Sequence, residues 1–442
     1  MFKLTRRGRI LVVVAAIFVA LSLFVESEDA PLLTFTGLGL FLYVYVTKLT
    51  LEIHTKVVSH LRYDRITASR AAEGEDLEVD IKVENPSFMQ LQSVEVVDHY
   101  PSTFKLIEGS NSATLSIPGH GETVLHYKVS PTSVGRHIFD HLHILVRDLG
   151  AIFYYEADIP LKTSVHVRPE IQRVLTPITA TALSSYSGTL TSRRKGEGFE
   201  FAEIREYTPS DEYRKIEWRS TARLNRLMVR ETLAETHLHV MIILDASKSM
   251  IYGLRGQTKL DYSARAVATL LNYLSRRGDF IGLTVYDGLN VGVKPLSRGQ
   301  LQLYRLLDSL SSISPVSESK EMFPSAIRRA VVEGGVRGRG LFFVISDLEG
   351  DLSIIIDQFR MMKVMRHEVV IVSPYSPLFE IGDLAGVDQI AYRIHTSYSW
   401  NERKESVRAI ERMGIPIFHV GPKDLIPGLL TQVEELRRRG GS

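Results

Sequence analysis

The chain has no cysteine among its 442 residues. This absence excludes thiol catalysis, disulfide bonds, and zinc or iron–sulfur centres held by cysteine, although it does not fix the cellular compartment. An excess of charge of one sign is also missing, because 53 basic and 51 acidic side chains leave a formal net charge of +2. Nucleic acid is therefore not an expected partner. The chain also lacks the His-Glu-x-x-His and Gly-x-Ser-x-Gly patterns of common hydrolases, so we expect a protein that is not an enzyme.

Two apolar runs lie near the N-terminus. Residues 10–25 and 31–46 carry no charge, and the acidic stretch 26–29 separates them. Each run is close to the minimum length of a membrane-spanning helix, so residues 1–56 are predicted to form a transmembrane helical hairpin. Basic residues flank both outer ends of the pair, and the positive-inside rule then places both ends and the large C-terminal body in the cytoplasm. The alternative is a signal peptide followed by one span, which would place that body outside the cell.

Residues 57–170 are predicted to form an antiparallel β-sandwich of immunoglobulin-like size. Apolar and polar residues alternate in short runs such as Leu77–Val83, which is typical of strands buried on one face. Turn residues such as Asn85-Pro86 separate these runs. Since the chain has no cysteine, the two sheets of such a sandwich must be held by apolar packing alone.

The region after the sandwich changes character twice. Residues 171–235 are predicted to hold a linker, rich in serine and threonine between Thr179 and Lys195, and then a dense charged segment. Residues 236–442 alternate strand and helix patterns, which predicts a parallel sheet covered by helices on both faces. The predicted strands are His239–Leu244, Phe280–Tyr286, Leu341–Ser346, Val369–Ser373 and Ile415–Val420. The predicted helices are Lys259–Arg276, Gln300–Leu310, Phe323–Val332, Leu352–Met365, Glu402–Met413 and Asp424–Arg438.

A candidate metal site lies at the ends of two of these strands. Asp245, Ser247 and Ser249 follow the first strand in an Asp-x-Ser-x-Ser pattern, and Asp347 follows the later strand that begins at Leu341. In open α/β sheets, ligands bind at the carboxyl ends of the strands. Two carboxylates held close together repel unless a cation lies between them. Carboxylate and hydroxyl oxygens suit Mg²⁺.

This arrangement resembles the von Willebrand factor type A domain. The resemblance implies a metal-ion-dependent adhesion site in which Ser247 and Ser249 bind Mg²⁺ directly, Asp245 and Asp347 bind directly or through water, and an acidic residue of a partner completes the shell. Members of that family supply a threonine from an intervening loop. Here the loop 317–323 contains no threonine, and the alignment places Glu321 at that position. A glutamate would tighten cation binding but weaken the attraction for an acidic partner.

The charged segment carries a second resemblance, to the family named domain of unknown function 58. The matching residues are Gly196, Gly198 and Phe201, then Arg205-Glu206-Tyr207, Pro209-Ser210-Asp211, Arg214, Glu217-Trp218 and Ala222-Arg223. Ser210 replaces the usual glycine, and Glu217 replaces the usual aspartate. Interleaved charges and aromatic rings indicate an ordered ion-pair layer, and rings as large as Trp218 are not left exposed without reason.

The second resemblance also bears on function. Members often carry a membrane hairpin and a β-domain, and they are commonly associated with MoxR-type AAA+ ATPases. The chain is therefore expected to be a membrane-anchored adaptor or chaperone-like partner of such an ATPase. The alternatives are an extracellular adhesion protein and a metal-dependent hydrolase. The sequence leaves the oligomeric state open.

Overall fold

A computed structural model describes residues 2–24, 30–148, 150–172, 195–233, 237–317, 321–348, 353–374, 379, 407–422 and 424–440. The chain divides into two compact units, Met1–Val167 and Arg168–Ser442. The predicted polar linker from Thr179 to Lys195 lies outside the described residues except for its last residue.

The first unit begins with two helices, α1 (Arg6–Ser22) and α2 (Ala30–Val58). Helix α2 is long and apolar enough to cross a membrane, with a mean hydropathy of 1.5 over its most apolar stretch. The two helices pack closely at Gly37, where an added Cβ would lie 2.6 Å from the Val19 side chain. At about 1.5 Å per residue, α2 is roughly 44 Å long, which exceeds the thickness of a bilayer's hydrocarbon core.

The C-terminal half of α2 packs against β-sheet. Val44, Leu51 and Val58 are buried, and they recur every seven residues on one face of the helix. They join the apolar core of the strands that follow. Helix α2, which is long and apolar enough to cross a membrane, therefore also packs directly against the core of the β-region.

The β-region contains two sheets over one apolar core. In chain order, strands β1 to β10 are Phe2–Leu4, Arg62–Thr67, Arg70–Ala72, Leu77–Glu84, Leu91–Asp98, Phe104–Gly109, Ser112–Ile117, Glu122–Pro131, Gly135–Arg147 and Phe153–Arg168. One sheet has the order β1-β10-β9-β5-β7, with β3 paired to β10, and the other has the order β2-β4-β8-β6. Neighbours such as β4 and β8 are antiparallel, and residues of β4 alternate between buried and more exposed. Both sheets contribute to the same core, while the immunoglobulin-like character of the region stays a prediction.

A buried polar cluster lies inside this core. The Arg65 guanidinium donates to Asp98 Oδ2 at 3.1 Å, and both side chains are fully buried. The Tyr127 hydroxyl donates to the same carboxylate oxygen at 2.5 Å. Burial, followed by the nearby Asp98 charge, raises the pKa of Tyr127 far above its ordinary value. These hydrogen bonds join strand β2 to β5 and β8. Because the groups are buried, removal of any one partner would lower the free energy of unfolding substantially.

We expect Arg65→Met to destabilise the first unit by about 3–5 kcal/mol, because it leaves the Asp98 carboxylate buried without its cation. Hydrogen exchange of peptides from β2 and β5 in the detergent-solubilised chain will measure the change. Arg62→Met on the same strand is the control, since Arg62 is 74% exposed and lies 4.0 Å from Glu84; it should cost less than about 1 kcal/mol. Equal effects of the two substitutions would contradict the assignment.

The second unit contains a mixed six-stranded sheet. Strands β11 to β20 are Lys195–Glu206, Met228–Leu233, His239–Asp245, Gly253–Leu254, Gln257–Thr258, Phe280–Tyr286, Val291–Ser297, Leu341–Ile345, Glu368–Pro374 and Ile417–Val420. Helices α3 to α8 are Trp218–Leu224, Lys259–Arg276, Gln300–Ser311, Phe323–Val332, Ser353–Val364 and Leu425–Gly440. Residues 407–412 are also helical, and short 3₁₀ helices cover Tyr213–Lys215 and Lys248–Ile251.

The main sheet has the strand order β17-β16-β13-β18-β19-β20. Strands β16, β13, β18, β19 and β20 are parallel to one another, as predicted. The helix patterns were also informative, since α4 and α6 begin and end at the predicted residues. The antiparallel edge strand β17 was not predicted. Its burial does not alternate strictly along its length, so no clear period of two marks it.

The charged segment is a strand pair rather than irregular chain. Strand β11 pairs antiparallel with β12, and the intervening residues form a turn and the short helix α3. The sequence did not indicate this pairing, because the two partners lie more than twenty residues apart, from Glu206 to Met228, with aperiodic charge between them. Long-range pairing of this kind leaves no local signal.

Candidate functional site

The candidate site lies where the strand order of the main sheet reverses. The chain runs from β13 to β16 and β17 on one side, and later from β18 to β19 and β20 on the other. In open α/β sheets, the crevice at such a switch point is the usual place for a ligand. Leu244 of β13 pairs with Ile345 of β18, so the residues that follow both strands are neighbours. The prediction that Asp245 and Asp347 come from adjacent strands is therefore correct.

The Asp-x-Ser-x-Ser residues form a buried hydrogen-bonded cluster. Asp245 Oδ1 accepts from the Ser247 hydroxyl at 2.6 Å and from the Ser247 backbone amide at 3.1 Å. The hydroxyls of Ser247 and Ser249 are 3.1 Å apart. Ser346, which the sequence did not single out, donates its hydroxyl to Asp245 Oδ2 at 2.7 Å. All four residues are buried, so the carboxylate of Asp245 is held by donors from both strand ends.

A lysine that the sequence analysis missed pairs with the second strand-end carboxylate, Asp347. Lys259 Nζ donates to Asp347 Oδ2 at 2.8 Å, and both side chains are fully buried. Lys259 is the first residue of α4, directly after the N-cap Thr258. The sequence contained one signal for it, because a cation at a helix N-terminus is disfavoured by the helix dipole. A lysine in that position needs a compensating carboxylate, which only the tertiary structure supplies.

The residues present fit Mg²⁺ only in part. The oxygens of Asp245, Ser247 and Ser249 lie close together, as ligands of a hard cation must. The carboxylate of Asp347, however, is engaged by an ammonium group. Glu321 lies on the surface just before α6, whereas the cluster is buried, and its place among the ligands stays a prediction. Within the described part of the chain, no group of three or more histidine, aspartate or glutamate side chains has the arrangement of a metal site.

The charged segment forms an ordered turn around one ion pair. The Arg205 guanidinium binds Asp211 through two hydrogen bonds of 2.7 Å. Thr208 donates its backbone amide and its hydroxyl to the same carboxylate, at 2.7 and 2.8 Å. The hydrogen bond from Arg205, followed by those from Thr208, holds the pKa of Asp211 well below its usual range. The predicted ion-pair order therefore exists here, with Asp211 at its centre.

The other signature residues lie largely at the surface. Arg214 pairs with Glu212 at 2.5 Å and Glu206 with Arg226 at 3.8 Å, all with substantial exposure. Arg223 is exposed on α3. These contacts are worth little to stability, since exposed ion pairs are screened by water. The charges of these side chains are better explained by a role at the surface of the segment than by a contribution to its stability.

Aromatic side chains of the segment are exposed rather than buried. Trp218 is 66% exposed and Tyr213 is 75% exposed. The Tyr213 ring stacks on Tyr207 at 5.8 Å between ring centroids, and a hydrogen bond between the two hydroxyl groups raises the pKa of Tyr207. The side chains of Phe199 and Phe201 lie outside the described part of the chain. We name Tyr207, Tyr213 and Trp218 the aromatic surface.

Comparison with known proteins connects these features to a family. Residues 203–382 match the family described as "Protein of unknown function DUF58". Proteins described as uncharacterized in Mycobacterium bovis and Mycobacterium tuberculosis are 26% identical over 195 residues, or 43% of this chain. The match spans 60% of the length of those relatives.

Solved structures with some similarity include BatB from Bacteroides thetaiotaomicron, at 18% identity and a TM-score of 0.31 over 46% of this chain and 99% of that one. An aerotolerance-related membrane protein from Bacteroides fragilis has 18% identity and a TM-score of 0.30 over 44% of this chain and 97% of that one. The SpRpn10 VWA domain has 15% identity and a TM-score of 0.30 over 45% of this chain and 95% of that one.

We expect Ser346→Ala to destabilise the second unit by about 1–3 kcal/mol, because a buried carboxylate loses a hydrogen-bond donor. Hydrogen exchange of the β13 and β18 peptides will measure the change. Ser263→Ala is the matched control, since this buried hydroxyl on α4 has no hydrogen-bond partner among the described residues; it should be close to neutral. If the Ser346→Ala variant is as stable as the Ser263→Ala control, the hydrogen bond from Ser346 does not stabilise the buried carboxylate of Asp245.

Proposed function

We propose that this chain, whose residues 203–382 belong to the DUF58 family, is a membrane-anchored protein-interaction module and not an enzyme. The observation that carries the proposal is the aromatic surface. Large rings that remain exposed on an ordered segment are costly to solvate and are typical of binding surfaces. Two short hydrogen bonds between Arg205 and Asp211 order the turn that carries Tyr207, and Tyr213 stacks on Tyr207, so this part of the surface is organised before any partner arrives.

The chemistry of this surface suits protein recognition. Tryptophan, tyrosine and arginine are the residue types that dominate binding energy at protein interfaces. Here Trp218 opens helix α3, and exposed Arg223 lies near the end of the same short helix. Preorganisation of the rings reduces the entropy lost on binding. A partner with an apolar pocket rimmed by acidic residues would complement the surface.

We propose a MoxR-type AAA+ ATPase as that partner, with the chain acting as its adaptor or chaperone-like companion. Support comes from the resemblance of residues 196–223 to the DUF58 signature, whose members are commonly associated with such ATPases. The segment that carries the resemblance is also the one that exposes Trp218 and Tyr213. Binding to a partner would also account for the exposed charged residues of this segment, which contribute little to stability.

The membrane anchor follows from the helices of the first unit. Helix α2 meets the length and composition of a span, and the close approach of α1 at Gly37 supports a two-helix hairpin, since small residues permit tight packing of membrane helices. The basic residues at both outer ends favour a cytoplasmic body. The two antiparallel sheets over one core support an immunoglobulin-like domain next to the membrane.

Mg²⁺ has a limited place in the proposal. When bound, the ion would supply positive charge to attract an acidic residue of a partner, and Asp245, Ser247 and Ser249 would hold it. The ion pair of Asp347 with Lys259 opposes a complete site. The aromatic surface does not depend on the ion, so the interaction function stands without it.

We expect the C-terminal body to lie in the cytoplasm with the 26–29 loop outside. Because the chain has no cysteine, single substitutions Ser27→Cys and Tyr304→Cys can be labelled with a membrane-impermeant maleimide in intact cells. Ser27→Cys should react and Tyr304→Cys, at a residue 60% exposed on α5, should react only after lysis. Labelling of Tyr304→Cys in intact cells would instead favour the extracellular adhesion protein.

We expect Trp218→Ala and Tyr213→Ala each to weaken capture of the MoxR-type ATPase of the same genome by at least tenfold, which corresponds to about 1.4 kcal/mol. Surface plasmon resonance with the detergent-solubilised chain will measure the affinity. Tyr304→Ala is the matched control, because Tyr304 has similar exposure on α5 outside the signature. Unchanged affinity of both test variants would refute the proposed surface.

A further inference from the structure

We propose that Lys259 is the resident cation of the strand-end site, so that the site assembles and operates without a divalent metal ion. The inference deepens the proposed function, on which its consequence for partner binding rests. It starts from a lysine ammonium located where the predicted site requires positive charge. Lys259 Nζ lies 2.8 Å from Asp347 Oδ2, and neither side chain has any exposure to solvent.

Burial makes this pair difficult to separate. An ammonium or carboxylate without its partner in the interior carries a large desolvation penalty. The backbone of Lys259 is also fixed, because Thr258 and Asp261 form a reciprocal capping box around the start of α4. The Tyr252 ring lies 5.7 Å from the ammonium, within the range of a cation–π contact. Lys259 is therefore held in the site by its helix, its carboxylate and an aromatic ring.

The charges of the cluster are consistent with this role. Asp347 has its positive partner in Lys259. Asp245 accepts hydrogen bonds from the Ser247 amide, the Ser247 hydroxyl and the Ser346 hydroxyl. Donors of the protein itself therefore lie against both oxygens of this carboxylate. A divalent ion placed among these groups would be repelled by the buried ammonium at short range.

The position of Lys259 at the start of α4 is unfavourable for a cation, which indicates that its charge has a function there. A lysine in the first turn of a helix faces the positive end of the helix dipole, and burial adds a further penalty. Both costs are offset if the ammonium neutralises Asp347 at the switch point of the sheet. The loop that contains Ser247 and Ser249 would then be held in place by the protein's own charge. Partner binding would not require a metal-bound acidic residue.

The test is titration of the detergent-solubilised full chain with MgCl2 and, separately, with MnCl2. Calorimetry measures the heat of ion binding, and thermal unfolding with and without the ion measures the change in Tm. We expect no binding heat and no change in Tm for the wild type at millimolar ion, and no loss of Tm with a chelator. Lys259→Met should show a binding heat with Mg²⁺ at millimolar ion and a rise in Tm on adding the ion, because the ammonium that pairs with Asp347 is then gone. Lys259→Met combined with Asp347→Asn should lose both responses.

Binding of Mg²⁺ by the wild type, removed by Asp245→Ala, would overturn the inference even if Lys259→Met failed to fold. Lys294→Met, at an exposed lysine on β17, is the control for loss of a positive charge. Capture of the nucleotide-free ATPase separates the two proposals. Capture that survives the chelator supports the inference, and capture lost in the chelator overturns it while leaving the interaction function intact. If the ATPase is not captured with or without the chelator, the proposed partner is wrong. The Tm of the wild type with and without the ion then still tests the role of Lys259.

Discussion

Two carboxylates end adjacent parallel strands in this protein, and the neutralisation of their charge governs the architecture around them. Asp245 and Asp347 are both fully buried, and they lie at or just after the ends of the neighbouring strands β13 and β18. Hydroxyl and amide donors hold the first, and the ammonium of Lys259 holds the second. Because an unpaired buried charge is so unfavourable, the contacts of Ser346 with Asp245 and of Lys259 with Asp347 favour one specific arrangement of the loop after β13, the end of β18 and the start of α4.

A similar constraint acts in the first unit, where Arg65 and Asp98 form a buried ion pair supported by Tyr127. In both units the buried polar groups join elements that are distant in sequence. Apolar packing alone gives a compact core, whereas such pairs require one specific arrangement of strands. The signature segment differs, since most of its charged groups other than the Arg205–Asp211 pair lie at the surface and the rings of Tyr213 and Trp218 are exposed. The groups buried in the two cores and the groups exposed on the signature segment are thus different residues.

The extent of prediction from sequence varied with the range of the interactions. Helices α4 and α6 were predicted at both ends, because their periodic patterns and caps are local features. The pairing of β11 with β12 and the edge strand β17 were missed, since their partners lie elsewhere in the chain and no alternation marks them. Trp218 was singled out in the sequence as a ring too large to be left exposed without reason, and its 66% exposure was evident only in the tertiary structure.

The sequence by itself determined the order of the five parallel strands of the main sheet and of the helices between them, the apolar N-terminal helices and the Asp-x-Ser-x-Ser loop at the end of a buried strand. These follow from periodicity, hydropathy and turn chemistry, which act over a few residues. Only the tertiary structure decided what balances the charge of Asp347. Lys259 is 88 residues away in the chain, and its contact with Asp347 exists because β13 and β18 lie side by side while α4 begins at their common edge.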